Sequence, residues 1–160
     1  MTGTQAHTRR GGAPVGYIDE LDAVGAGAVK YLRMWSDGPE AQAIADRNFA
    51  LHLGPQQGPV TTRALDQLMQ ICARYGRRPL MRHGQICKCL GGDESCFATF
   101  VSTACDGDRE DALLIAMNIV RADMAPQLAD LAQTFGLALK RISLLSRPSA
   151  RKHVAQPTLH

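Results

Sequence analysis

Between His83 and Cys96 the chain sets one imidazole and three thiols at the spacing His-x3-Cys-x-Cys-x6-Cys. Tetrahedral zinc takes four nitrogen or sulfur ligands, and three cysteines with one histidine close a structural site with no open position. Gly84, Gly91 and Gly92 lie in the same stretch, and glycine allows the tight turns needed to wrap a chain around an ion. The reading is zinc held by His83, Cys87, Cys89 and Cys96, with an iron–sulfur cluster drawing on Cys72 or Cys105 as the alternative. Arg82 and Lys88 flank the motif, and neighbouring cations favour the thiolate that binds metals.

The same residues allow other chemistry. Cys87 and Cys89 could act as attacking and resolving thiols of a redox sensor. Either could pair with His83 as nucleophile and base, although no third group is evident. The chain contains no P-loop, no G-x-G-x-x-G, no G-x-S-x-G and no H-E-x-x-H, each of which would have placed a phosphate, dinucleotide, acyl or zinc-protease site. Cys72 and Cys105 fall on apolar helical stripes and read as core residues, since free cysteine packs as a small hydrophobe.

A second pattern lies at residues 128–145. Ala132, Gly136, Ile142 and Leu145 reproduce a helix-turn-helix spacing, with a small residue at the crossing, glycine in the turn and apolar residues packing the second helix back. Lys140 and Arg141 would then face DNA. Against this, Leu137, Ala138 and Leu139 offer little polar surface for reading bases. Arg77, Arg78 and Arg82, with Arg74 and Lys88 and no acid among them, form a second candidate phosphate-binding surface. A charge run of this kind also serves simply as a solvated face.

The elements that must position these residues are helical. Apolar residues recur at three- and four-residue steps over 18–35, 39–53 and 59–75, and again over 95–105, 109–120 and 126–135. Asp37-Gly38-Pro39, the stretch 54–58 and Asp106-Gly107-Asp108 supply the breaks. The expectation is a mainly all-α bundle of about six helices with a Gly/Cys-rich irregular loop over 76–92, with room for a short strand near 137–145. Residues 1–16 read as a loose leader, 17–145 as one domain and 146–160 as a basic tail.

Composition sets the outer bounds. The 160 residues are 45% hydrophobic, 5% aromatic and 21% charged, as expected of one globular domain. The net charge of +3 permits a nucleic-acid partner without arguing for one. No apolar run approaches the ~18 residues of a membrane span, and no secretory signal is evident. Five cysteines, an odd number, point to reduced thiols in a cytoplasmic protein rather than to disulfides. The leading expectation is a non-enzymatic cytoplasmic regulatory or interaction module for a protein partner, its cysteine loop held by zinc. A helix-turn-helix DNA-binding protein is the first alternative, and a thiol-based redox sensor or small Cys-dependent enzyme the second.

Overall fold

The computed structural model describes residues 12–147. It is mainly helical, with five helices and one small sheet. Helix α1 spans Ala23–Ser36, α2 Pro39–Tyr75, α3 Gly92–Cys105, α4 Arg109–Ile119 and α5 Ala125–Ser146. Strand β1, Pro14–Tyr17, pairs antiparallel with β2, Cys89–Gly91. Residues 14–16, read as part of a leader, thus belong to the sheet; the rest of that leader before residue 12 and the tail after residue 147 lie outside the described residues.

The count is five helices rather than six because α2 takes in both segments expected over 39–53 and 59–75. Gly54 alone breaks the helical path, with φ +84°, a conformation glycine adopts without a Cβ penalty. Pro55 follows at once, and its fixed φ suits the first turn of a resumed helix. No linker separates the two arms, so the break is a sharp bend within one element.

The segment 137–145 is helix, not strand, and it corrects the helix-turn-helix reading as well. Residues 125–146 form one uninterrupted helix, with Gly136 buried in its middle rather than in a turn. A Cβ on Gly136 would stand 2.8 Å from the Cβ of Cys105 and 3.0 Å from the carbonyl oxygen of Val101. Gly136 is there to let α5 cross close against α3. The small-residue spacing that mimicked a helix-turn-helix records this packing instead.

Phe135 of α5, Tyr31 of α1 and Phe49 of α2 meet at the centre, with ring centroids 4.5–6.4 Å apart. Such tilted and edge-on pairs add about 0.5–1.5 kcal/mol each beyond their burial. Cys72 and Cys105 are both buried, as their helical register implied. The sheet closes one end: Leu90 packs inward with Val29 of α1 and Ala98 of α3, and Ile18 and Leu21 cover this small cluster.

The clamped cysteine loop as candidate functional site

Residues 76–91 connect α2 to α3 almost without regular structure, and charged side chains hold them. The centre of the arrangement is an ion pair the sequence reading did not single out. Arg33, 2% exposed, donates through Nε to Glu94 Oε1 at 2.7 Å and through one terminal nitrogen to Oε2 at 2.9 Å; Glu94 is fully buried. The remaining bonds go to the loop. Arg33 donates to the carbonyl oxygens of Cys87 at 2.6 Å and Cys89 at 2.7 Å. Glu94 accepts the backbone N–H groups of His83 and Gly91, both at 2.9 Å.

Four backbone groups of the loop therefore end on one buried pair. Such a pair is costly to desolvate, and geometry this complete is what offsets the cost. The bidentate fork of arginine fits a carboxylate while leaving donors free for carbonyls. Burial by itself would raise the Glu94 pKa. The Arg33 bond, the N–H groups of Gly91 and His83 and the guanidinium charge outweigh it and hold the carboxyl below its ordinary value.

Two surface carboxylates extend the clamp. Asp93 pairs with Arg78 and accepts the N–H of Met81 at 2.7 Å. Asp37, just past α1, takes Arg82 at 2.8 Å and the Gln85 amide at 2.6 Å, while Arg82 also reaches the Ser36 carbonyl. Arg78 and Arg82, two of the arginines expected to face nucleic acid, are thus spent on carboxylates that tie the loop down. Arg77 donates to the Met117 carbonyl of α4. Lys140 and Arg141 are exposed on α5, away from any turn.

The proposed ligands are only partly brought together. Cys87 and Cys89, two positions apart, are close enough for Cys87 to act on the Cys89 thiol. Among the described residues no three His, Cys, Asp or Glu side chains come together as a metal would need, so His83 and Cys96 do not join the pair in this arrangement. Cys96 sits in the first turns of α3, beside Asp93. The His83 ring leaves Nε2 buried with no hydrogen-bond partner, in contrast to most buried polar atoms.

For Cys89 and Cys96 the structure runs against the expected activation by Arg82 and Lys88. The neighbouring Cys87 and then burial push the Cys89 thiol up, with Arg33 opposing. Burial and then Asp93 push Cys96 up, against a smaller effect of Arg78. Arg82 is turned to Asp37, away from this role.

On the sheet, Tyr17 lies directly opposite Cys89, so their side chains share one face. That face is open to solvent: Val15 and Tyr17 are 63% and 60% exposed, and Ile86, in the loop just before the thiols, is 97% exposed. A groove of about 230 Å³ between Leu32, Trp35, Met69, Cys72 and Leu80 is smaller than the roughly 300–1,000 Å³ of ordinary ligand sites. Among the described residues no helix is long and apolar enough to cross a membrane. Compared with known proteins, the chain matches no family model, no curated protein and no solved structure.

A signal for the clamp was present in the sequence. Arg33 sits inside Tyr-Leu-Arg-Met-Trp on an otherwise apolar stretch of helix, and Glu94 falls three residues after Gly91, the N3 position from which a carboxylate reaches the first free N–H of a helix. Nothing in the sequence indicated that the two meet.

Proposed function

We propose that this chain is a non-enzymatic interaction module whose recognition element is the clamped loop and the open face of the sheet beside it. One observation carries the reading: a loop without regular structure is fixed by the buried Arg33–Glu94 pair while presenting Ile86 almost wholly to water. A loop ordered beforehand loses little entropy on binding. Contiguous exposed apolar surface marks contact sites; Ile86 is exposed in the loop, and Tyr17 and Val15 are exposed on the strand that pairs with its end. The partner is a protein with an apolar patch that accepts the isoleucine.

Affinity capture with wild type, Ile86→Asp and Leu114→Asp tests this. Leu114 is equally apolar and 60% exposed, on α4. A partner retained by wild type and Leu114→Asp but lost by Ile86→Asp supports the module. Equal capture by all three variants rejects it.

Zinc closed by His83, Cys87, Cys89 and Cys96 is the second reading, and the orphaned Nε2 of His83 favours it. It requires the imidazole and Cys96 to move onto the adjacent thiols. One equivalent of zinc in untagged protein, lost in Cys89→Ser, supports it; metal-free protein whose stability ignores a strong chelator ends it.

A further inference from the structure

The loop conformation has a chemical consequence that does not depend on any protein partner. Cys89 opens β2, and Cys87 closes the turn before it, its N–H donating to the Gly84 carbonyl at 3.0 Å. The Lys88 carbonyl accepts the N–H of Ile18, just past β1, at 2.9 Å, while those of Cys87 and Cys89 turn the other way, to Arg33. The carbonyls of residues 87–89 thus alternate as in a strand. Alternate residues of such chain project to the same side, so the Cys87 side chain shares the side of Cys89, which is also that of Tyr17. Both are half-buried, within reach of solvent.

We propose that Cys87 and Cys89 form a two-sulfur binding site for a soft monovalent cation, Cu(I). The donor set selects the ion. No third His, Cys, Asp or Glu completes a metal group among the described residues, whereas zinc takes four donors and calcium or magnesium takes oxygens. Cu(I) prefers thiolates and, as a closed-shell ion, is satisfied by two of them. Arg33 fixes the backbone of both cysteines through their carbonyls, so little ordering is left for the ion to impose. Binding breaks two S–H bonds and forms two S–Cu bonds; two protons leave to solvent, the ion stays Cu(I), and no electron is transferred.

The test titrates reduced, folded protein anaerobically with Cu(I) supplied as its acetonitrile complex, against a coloured Cu(I) chelator. The expected result is one equivalent per chain held against the chelator, affinity that rises with pH because protons are released, and X-ray absorption showing sulfur neighbours without nitrogen. Cys87→Ser and Cys89→Ser each lose the ion, while His83→Ala and Cys96→Ser keep it; circular dichroism confirms that the variants fold. Retention by both Cys87→Ser and Cys89→Ser overturns the proposal. So does loss in His83→Ala or Cys96→Ser, which would instead mean a larger site with the ligands of the zinc reading. Capture by Ile86→Asp reports on the partner surface alone, so the two readings fail separately.

Discussion

Replacing Arg33 by Met removes the guanidinium but keeps a long apolar stem in its place. Glu94 is then left fully buried without its counter-charge, and breaking one side of a buried pair costs about 3–5 kcal/mol. The carbonyls of Cys87 and Cys89 lose their donor as well, at about 1 kcal/mol each where water does not replace it. Protonation of Glu94 in the variant relieves part of this, so the expected net loss is about 4 kcal/mol, a large fraction of the roughly 5–15 kcal/mol that holds a domain together. Urea denaturation followed by far-UV circular dichroism reads the global loss, and limited proteolysis at residues 82–88 reads the loop. The double variant Arg33→Met/Glu94→Leu removes both charges, yet it should not return to wild-type stability. The N–H groups of His83 and Gly91 and the two carbonyls still lack partners. Arg33→Met within 1 kcal/mol of wild type, with a protease-resistant loop, would refute the clamp.

Three further outcomes follow from the same contacts. Glu94 and Asp93 are both held below their ordinary carboxyl pKa in the fold, burial opposing and the arginine and backbone bonds prevailing; the unfolded chain binds the extra protons, so their contribution is complete above the unfolded carboxylate range and is lost as pH falls through the folded values. Thermal melts from pH 7 to 3 should show this loss, and Glu94→Gln should be less stable at pH 7 but flatter in acid; a parallel decline in both proteins would exclude Glu94 as a source. Gly136→Ala should destabilise by about 1–2 kcal/mol, because overpacking against Cys105 and Val101 outweighs the helix propensity gained, and a variant as stable as wild type in chemical denaturation would show that α3 and α5 do not cross so closely. Cys72, its thiol pushed up to about 12 by burial, should label slowly with a disulfide reagent at pH 8 while Cys87 and Cys89 label first, and Cys72→Ser should cost about 1–3 kcal/mol; rapid labelling of Cys72 in folded protein would contradict its burial.

The sequence by itself determined what depends on local pattern. Apolar residues at three- and four-residue steps specified the helices, Pro and Gly specified most of their ends, and Cys72 and Cys105 fell on the buried stripes they occupy. It also showed where regular structure fails, between Tyr75 and Cys89, but not that Cys89–Gly91 would form a strand against Pro14–Tyr17. What it could not determine were the relations between distant residues. The 54–58 stretch reads equally as a linker or a bend, and only the packed arms make it a bend at Gly54. Gly136 reads equally as a turn or a close crossing, and the choice lies with Val101 and Cys105 on another helix. Most of all, the order of the cysteine loop looked like a task for an ion because its own residues are thiols and an imidazole. The side chains that hold it, Arg33 and Glu94, are separated by 61 positions, and a charge inside an apolar helical stretch discloses its partner only when the chain has folded. Local periodicity is written in the sequence because neighbours in the chain remain neighbours in space; a buried ion pair is decided by tertiary structure, which alone determines which desolvated charges meet.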